Sequence, residues 1–384
     1  MDIKSVIDTR RKDEPDLILL VTVFILAGIG IVMSYSASAV FALQRMGDTL
    51  YFLKRQILWF VAGVFLLFLF QEIDYRRYKE HTKVLLLGAM VLLVLVLIPG
   101  VGHMVKGSSR WLGFSFLYVQ PSEFVKIILV IYLVKVFSLE AGANHLVQIL
   151  IPLIITAVMF ILIMLQPDFG TAIDLLFVAV MILFVSGFPF IYLAGLFIIS
   201  IPMFYLLIYQ VDYRRERLLA YFDPWKDRFG NGYHIIQSYV AFKKGALLGV
   251  GLGFGTQKIR RLPESHTDFI FSTIAEETGL IGTVTILLLF TVIFWRGIVI
   301  ATKTPDGFGK LLAIGLSLLI TVQAFINIAV ATGSLPTTGI PLPFISYGGS
   351  SLITSMIAAG ILLNISRYRE VAHDGLKFAE EVWQ

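Results

Sequence analysis

The sequence predicts an all-α, polytopic membrane protein. Of its 384 residues, 57% are hydrophobic and 15% are charged, whereas soluble domains carry roughly 25% charged residues. Apolar stretches close to the length that crosses a bilayer, about 20 residues, recur along the whole chain. The shorter, alternating segments typical of membrane β-barrels do not occur. We therefore predict helices, because a helix satisfies its own backbone hydrogen bonds in lipid.

We expect ten transmembrane helices, with a large extracytoplasmic loop between the seventh and the eighth. The first stretch is longer than the roughly 7–15-residue core of a signal peptide. We interpret it as a retained span, although Ser36-Ala37-Ser38-Ala39 weakly resembles a cleavage site. Turns rich in Pro and Gly separate the fifth, sixth and seventh spans. The predicted spans are 17–39, 54–71, 83–99, 121–138, 148–165, 171–187, 190–209, 269–295, 308–331 and 350–367.

The distribution of Lys and Arg predicts the orientation. With the N-terminus in the cytoplasm, the inner segments are richer in basic residues than the short outer loops, as the positive-inside rule requires. Residues 1–384 then form a single membrane domain, with cytoplasmic ends at 1–16 and 368–384 and the large outer loop at 210–268. The basic residues of the short outer loops are Arg45, Lys54, Arg55, Lys106 and Arg110. Those of the inner segments are Lys4, Arg10, Arg11, Lys12, Arg76, Arg77, Lys79, Lys83, Lys135, Arg296, Lys303, Lys310, Arg367, Arg369 and Lys377.

The large outer loop is basic as well. Loops of about 60 residues largely escape the positive-inside rule, so the orientation stands. The charge marks either a solvated face or a surface for an anionic substrate or lipid head group. Residues 233–248 mix apolar and basic side chains at helical spacing, which is typical of an interfacial helix. The alternating glycines of 249–255 lack the end of a P-loop, and we interpret them as a flexible turn that returns Arg260, Arg261 and Asp268 to the membrane.

Charged and aromatic residues surround the start of the fourth span. Glu123 and Lys126 are three positions apart and so share one helix face. Such a pair is tolerated inside a membrane where two lone charges are not. It is either a structural tie between helices or a part of the substrate site. Arg110 is a candidate for binding phosphate through its guanidinium group, and Trp111 either stacks on a sugar or anchors the chain at the membrane interface.

Two aspartates lie near the start of the sixth span. Asp168 belongs to the motif Gln166–Thr171. It either caps the span, where a carboxylate stabilises the positive helix end, or belongs to a polar site. Asp174 lies deeper in the span, and we expect it to face the interior of the bundle.

Asp268 is the strongest candidate for a catalytic group. It lies where the polar outer loop enters an apolar span, and it is either a helix cap or a general base. Glu276 would lie about 12 Å further along the same helix. That distance is too long for a retaining carboxylate pair, whose groups are ≈5–5.5 Å apart, so Asp268 would act alone. His266 is a candidate for tuning Asp268 or contacting the substrate, although a single histidine in a loop is usually solvated.

Residues 332–351 form a segment without charge that is rich in Pro, Gly and hydroxyl groups. Irregular backbone at membrane depth is tolerated where it is buried in protein or lines a wet cavity. The segment is thus a candidate wall of a substrate site. Ser346, Ser350 and Ser351 would supply hydroxyl groups, unless Ser350 or Ser351 simply caps the last span.

Together these motifs resemble the SEDS family (shape, elongation, division and sporulation), the polytopic peptidoglycan glycosyltransferases that include FtsW, RodA and SpoVE. The resemblance covers nearly the full length. It rests on the separated motifs 107–111 with 120–123, 166–171, 263–271 with 276–277, and 335–351. Residues 217–225 and 262–268 look more like the FtsW/SpoVE branch than RodA. Thr338-Gly339 departs from the Lys-Gly often seen at that place in the family.

The resemblance implies a ten-span bundle and an enzyme that polymerises lipid II at the outer face of the bacterial inner membrane. Lipid II is a disaccharide peptide linked to undecaprenyl diphosphate, and the product is a β-1,4 glycan strand, here for septal wall synthesis. The family's essential acidic residue maps onto Asp268 and its important tryptophan onto Trp111. Glu123 and Lys126 match a polar pair beside the site.

The resemblance also implies partners. Family members pair with a class B penicillin-binding protein, a transpeptidase, and they work with other membrane proteins of the divisome or elongasome. We expect no nucleic acid partner and no cofactor, although a divalent cation would assist at the diphosphate. The chain has no cysteine, and no histidine cluster suggests a metal site. We expect the diphosphate among Arg110, Arg260 and Arg261.

Three other functions remain open from the sequence. A lipid II flippase would also have many spans, intramembrane charges and Pro/Gly-broken segments. It should, however, show a polar route to the inner face, whereas the distinctive polar residues crowd toward the outer side. A scaffold for division proteins would tolerate substitutions in the site. A RodA-type elongation polymerase would share the chemistry but not the cellular role.

Overall fold

The computed structural model describes residues 14–105, 108–114, 117–138, 145–260 and 265–368. Within these ranges the chain forms thirteen helices and three short strands. The helices are α1 (Leu17–Met46), α2 (Tyr51–Glu72), α3 (Arg76–Leu97), α4 (Pro121–Phe137), α5 (His145–Leu165), α6 (Phe169–Val185), α7 (Phe190–Tyr209), α8 (Asp212–Phe222), α9 (Tyr233–Gly245), α10 (Gln257–Arg260), α11 (Ile270–Lys303), α12 (Gly307–Ala331) and α13 (Gly349–Ser366). The strands are β1 (His103–Val105), β2 (Ser108–Phe114) and β3 (Leu117–Val119).

A helix forms at each of the ten predicted spans, and the chain is a multi-pass membrane protein. Seven helices in the described ranges are long and apolar enough to cross a membrane. They are α1, α2, α3, α7, α11, α12 and α13. The apolar parts of α5 and α6 are shorter, and α4 carries charged residues among its 17 residues.

The bundle has a buried centre and a lipid-facing rim. Almost all of α13 and most of α12 are buried, whereas α7 is mostly exposed. Small residues allow the central helices to approach closely. A Cβ atom on Gly360 of α13, for example, would lie 2.4 Å from the Leu67 carbonyl oxygen of α2. The central helices therefore fix the positions of the segments that connect them.

A small antiparallel sheet precedes α4. Its strands lie in the order β1-β2-β3, with Leu112 opposite Val119 and His103 opposite Trp111. The sheet leads directly into Pro121, which occupies the first turn of α4, where its missing N–H costs nothing. Because β2 is the central strand, Arg110 and Trp111 lie on the most constrained part of this connection.

The long segment between α7 and α11 folds onto the bundle. Residues 233–245 form the predicted helix, α9, and it buries one face against α11. Gly245 makes this packing possible, since a Cβ atom there would lie 1.8 Å from the Ala275 carbonyl oxygen. The glycines that follow turn the chain with positive φ at 249, 251 and 253. The predicted turn is present, but hydrogen bonds tie it to α11.

The opposite end of the bundle is held by a polar cluster. The Asp16 carboxylate caps α1 by accepting from the Leu19 amide at 2.9 Å. It also pairs with Arg296 near the end of α11, and the Asp16 amide donates to Ser366 Oγ at 3.0 Å. The start of α1 is thereby tied to the ends of α11 and α13.

Candidate active site

Asp268 lies in a turn, residues 265–269, that leads into α11. The N-cap of α11 is Phe269, one residue later, so Asp268 does not occupy the cap position. The Asp268 side chain is half-buried. It faces residues 332–348, since a Cβ atom on Gly339 would lie 3.5 Å from Asp268 Oδ2. A glycine with φ of 79° at that position lets the backbone approach the carboxylate.

His266 is buried, contrary to the expectation that a single loop histidine is solvated. Its ring packs among Phe41, Phe52 and Tyr347, with centroids 5.5, 4.9 and 5.9 Å away. The Tyr347 amide donates to the His266 carbonyl oxygen at 2.9 Å. Burial raises the pKa of the Tyr347 phenol, and this effect outweighs the positive charge of Arg55, which lowers the pKa. His266 thus anchors the Asp268 turn, and its contact with substrate stays a prediction.

The segment from Thr332 to Gly348, here called the late segment, holds the Asp268 turn through the Ser346 hydroxyl. Ser346 Oγ donates to the Thr267 carbonyl oxygen at 2.7 Å and accepts from the Leu342 amide at 2.8 Å. Ser350, at the start of α13, accepts from the Gln120 amide at 2.8 Å. The N-cap of α13 is Gly348, so neither Ser350 nor Ser351 is its cap.

Two side-chain amides on α12 also support the Asp268 turn and the late segment, and neither was predicted from the sequence. Asn327 Nδ2 donates to the carbonyl oxygens of Asp268 and Ile340, at 2.9 and 2.8 Å. Gln323, one turn earlier, donates to the Pro341 carbonyl oxygen at 3.0 Å. Gln323 and Asn327 lie four residues apart, on one face of an otherwise apolar helix. Two polar side chains on one face of a membrane helix are a sequence signal for a functional or supporting role.

Arg110 lies beside Asp168 at the start of α6. Asp168 caps α6 by accepting from the Thr171 amide at 3.3 Å, which confirms the capping prediction. Its carboxylate also accepts from Gln120 Nε2 at 2.7 Å and pairs with Arg110 at 3.4 Å. The Arg110 side chain remains 30% exposed, and a guanidinium group has five N–H donors, so donors remain for an anion. Trp111 is half-buried next to it.

The regions around Asp168 and Asp268 both contact the late segment. A Cβ atom on Gly170 would lie 2.3 Å from the Thr338 carbonyl oxygen, and Asp268 faces the next residue, Gly339. The start of α6 and the Asp268 turn therefore lie against neighbouring residues of the late segment. The region where the Asp268 carboxylate, the partly exposed Arg110 and residues 338–339 come near one another is here called the cleft.

Lys126 is the centre of a buried ionic cluster below the cleft. Its ammonium group lies 3.2 Å from Glu123 and 2.9 Å from Asp174, and it donates to Gln323 Oε1 at 2.7 Å. All three charged side chains are almost fully buried. The predicted Glu123–Lys126 pair and the interior position of Asp174 are confirmed. The cluster ties α4 to α6 and, through Gln323, to the late segment.

Basic side chains of α8 also reach the late segment and the start of α6, and they were not among the predicted site residues. The Arg217 guanidinium donates to the Thr337 carbonyl oxygen at 3.4 Å. Arg214 lies over the Phe169 ring, 5.1 Å from its centroid. Of the arginines predicted to bind the diphosphate, Arg261 and the side chain of Arg260 lie outside the described residues.

Glu276 and Glu277 have structural partners. The Glu276 carboxylate accepts from the amides of Thr256 and Gln257, at 2.9 and 3.1 Å. Glu277 pairs with Lys258 and accepts from Ser36 of α1 at 2.7 Å. The two carboxylates hold the start of α10. Among the described residues, no three His, Asp or Glu side chains come together as metal ligands.

Curated proteins are similar to this chain over nearly its full length. The chain is 41% identical over 376 residues to "Probable peptidoglycan glycosyltransferase FtsW" of Geobacter metallireducens, covering 95% of this chain and 98% of that protein. It is 42% identical to "Stage V sporulation protein E" of Bacillus subtilis, covering 94% and 99% of the two chains.

Two solved structures are similar as well. One comes from work on the "structural coordination of polymerization and crosslinking by a peptidoglycan synthase complex", with a TM-score of 0.76, 30% identity, and coverage of 93% and 99% of the two chains. The other is the "Rod shape determining protein RodA" of Thermus thermophilus, with a TM-score of 0.69, 28% identity, and coverage of 93% and 98%. The family model of FtsW, RodA and SpoVE, described as "Cell cycle protein", matches residues 17–371. The chain belongs to this family.

Proposed function

We infer that the chain is a peptidoglycan glycosyltransferase that polymerises lipid II, in the FtsW branch and for septal wall synthesis. Its relatives over nearly the full length carry the glycosyltransferase name. The observation that carries the proposal is the half-buried Asp268 carboxylate beside Gly339, since the neighbouring Thr338 packs against the start of α6, where Arg110 pairs with Asp168. A single base and a cation beside it are the groups that sugar transfer from a diphosphate needs.

In the proposed reaction, Asp268 accepts the proton of the GlcNAc 4-hydroxyl as that oxygen attacks C1 of MurNAc. The bond from C1 to the diphosphate oxygen breaks, and undecaprenyl diphosphate leaves with the electron pair. One displacement inverts the anomeric carbon and gives the β-1,4 link. Asp268 then returns its proton to water. Asn327 and Ser346 hold the backbone that carries the base.

The diphosphate would lie against Arg110, with Arg260 and Arg261 as further candidates and Trp111 beside the sugars. Arg217 and Arg214 of α8 border the same cleft. Ser350, and Glu123 and Lys126 below, would shape its floor. A divalent cation would assist at the diphosphate by supplying positive charge as it leaves.

We propose that all ten long helices cross the bacterial inner membrane. Both termini would then be cytoplasmic, and the cleft and the segment between α7 and α11 extracytoplasmic. The excess of Lys and Arg in the inner segments supports this orientation. A class B penicillin-binding protein is the proposed partner. A similar chain comes from a complex that coordinates polymerisation and crosslinking.

The test is polymer formation from lipid II by the purified chain with its partner transpeptidase, in detergent and without a membrane gradient. We expect Asp268→Asn and Asp268→Ala to lower the rate about 10²–10⁴-fold, the usual worth of a general base. Asp212→Asn, at an exposed site of α8, is the matched control. A folded Asp268 variant that polymerises at the wild-type rate would refute the role of the base. A wild-type protein that moves lipid II across vesicles without polymerising it would favour a flippase.

A further inference from the structure

The segment from Ala246 to Gly255, here called the glycine segment, exposes an unusual amount of apolar surface. It lies between α9 and α10, and it contains no charged residue. Scattered exposed apolar residues are ordinary, but a contiguous exposed set marks an interaction surface. The exposed side chains are Leu247 at 65%, Leu248 at 76%, Val250 at 41%, Leu252 at 57% and Phe254 at 75%.

The glycine segment is fixed to a break in α11. Gly279 has φ of 66°, which interrupts the helix. Around the break, two amides and two carbonyls of α11 find partners outside the helix, as such groups must where water is excluded. The glycine segment satisfies all four. The bonds are Val250 N to Glu276 O at 3.0 Å, Gly251 N to Glu277 O at 3.1 Å, Leu280 N to Ala246 O at 3.0 Å and Ile281 N to Leu247 O at 3.3 Å.

The depth of this break in the membrane follows from the length of α11. Arg296 pairs with Asp16, the cap of α1, and so marks one polar boundary of the bundle. A helix crosses the hydrocarbon core with about 20 residues. Counting that many back from Arg296 reaches Glu276, three residues before Gly279. The break and the attached glycine segment therefore lie at the opposite boundary of the hydrocarbon core.

The apolar surface of the glycine segment continues the lipid-facing surface of α11. Leu280 and Ile281 are 53% and 61% exposed directly below the break, and their amides bond to the glycine segment. On the other side, Lys243 and Lys244 end α9 and are exposed. An apolar surface bordered by cations fits a membrane surface with anionic head groups.

We propose that the glycine segment is a re-entrant membrane contact. Its leucines and Phe254 insert among the acyl chains of the leaflet nearest the active site, and Lys243 and Lys244 bind anionic phospholipid head groups. The contact goes beyond the glycosyltransferase function and does not depend on it. The occupant is the bilayer itself, because the surface is continuous with that of a spanning helix.

The test uses single cysteines, since the natural chain has none. Leu248→Cys and Phe254→Cys are labelled with a bimane fluorophore, and the full chain is reconstituted in vesicles of phosphatidylcholine with or without phosphatidylglycerol. Lys226→Cys, exposed in a polar turn of the same long segment, is the matched control. We expect blue-shifted emission at 248 and 254 that falls by more than half when the acyl chains are brominated, and no change at 226.

The lysines are tested in the same assay. Lys243→Gln with Lys244→Gln should remove the additional blue shift that phosphatidylglycerol gives at position 248. Water-like emission at 248 and 254 in both lipids would overturn the proposal. So would a blue shift that occurs only after the partner transpeptidase is added, since the surface would then be a protein interface. Fluorescence does not depend on polymerisation, so a failure of the proposed enzyme activity leaves this result readable.

Discussion

Asn327 is the side chain that ties Asp268 to the late segment. Its amide group donates to two backbone carbonyls, those of Asp268 and Ile340. Leucine has nearly the same size but no donor, so Asn327→Leu removes both hydrogen bonds. Unpaired buried groups cost about 1–3 kcal/mol. We expect the variant to unfold at lower temperature and to polymerise more slowly, measured by thermal unfolding and by the lipid II assay.

The matched control is Phe325→Leu, an exposed position on the same helix. It should leave both measurements unchanged, because its ring faces outward. If Asn327→Leu keeps the wild-type polymerisation rate while losing stability, then the amide serves the fold alone. The positioning of the base would have to come from Ser346.

Asp168 combines two roles that two substitutions separate. As the cap of α6 it needs only a side-chain oxygen, whereas its contact with Arg110 needs a charge. Asparagine caps about as well as aspartate, and alanine costs about 1 kcal/mol at this position of a helix. We expect Asp168→Ala to lower the unfolding temperature and Asp168→Asn to leave it nearly unchanged. Equal destabilisation by both variants would show that the ion pair, not the cap, stabilises this end of the bundle.

Residues whose role follows from local spacing were predictable, and those whose role depends on distant contacts were not. The Glu123–Lys126 pair and the Asp168 cap follow from one turn of helix. Asp174 could be placed in the interior, but its partner lies 48 positions away, on another helix. Asn327 gave even less information, because an amide in an apolar span does not indicate which backbone carbonyls it will contact.

At the scale of elements, the break in α11 carries a testable requirement for glycine. At Gly279 a Cβ atom would lie 2.4 Å from the Gly249 amide nitrogen, and φ is 66°. A residue with a side chain held at positive φ costs about 1–3 kcal/mol, apart from the clash. We expect Gly279→Ala to lower the unfolding temperature. Gly28→Ala, in open space on α1, should raise stability by roughly 0.5–1 kcal/mol.

The opposite signs make the pair of glycine variants informative. If Gly279→Ala stabilises the protein as Gly28→Ala does, then α11 can continue through the break as a regular helix. The four hydrogen bonds to the glycine segment would then be dispensable. Both variants are measured by thermal unfolding in the same detergent.

The buried cluster of α4 and α6 predicts a rescue between elements. Lys126→Met removes the ammonium group and leaves the carboxylates of Glu123 and Asp174 without their cation. Breaking a buried pair from one side costs about 3–5 kcal/mol. We expect this variant to be strongly destabilised in thermal unfolding. The triple variant with Glu123→Gln and Asp174→Asn should recover most of that loss, because it buries no charge. Failure of the rescue would indicate that packing of the lysine stem matters more than charge.

Apolar stretches predicted that each helix exists but not where it ends. The first span was expected to end at 39, whereas α1 continues to Met46, and α11 continues to Lys303 rather than 295. Hydropathy reports the lipid boundary, and a helix continues beyond it while its backbone groups find partners. The Gly279 break was not predicted either, since a lone glycine in an apolar stretch is usually helical.

At the scale of the whole molecule, the number of crossings rests on the three least typical helices. α4 is charged, and the apolar parts of α5 and α6 are short. Whether each of these three helices crosses nevertheless decides on which side of the membrane α7 begins. The basic residues near these helices are too few to settle the matter, because Lys135 is the only one in the described residues between 121 and 210 apart from Lys126.

Single cysteines in this cysteine-free chain test the orientation directly. We expect a membrane-impermeant maleimide to label Met46→Cys and Lys226→Cys in spheroplasts, and to label Glu80→Cys, Ser186→Cys and Lys303→Cys only after lysis. Ser186, at the end of α6, is the decisive position. If it is labelled from outside, α4 to α6 do not all cross the membrane in the proposed order. The ten-span arrangement would then be wrong, although Lys226 and the cleft with Asp268 could still face outward.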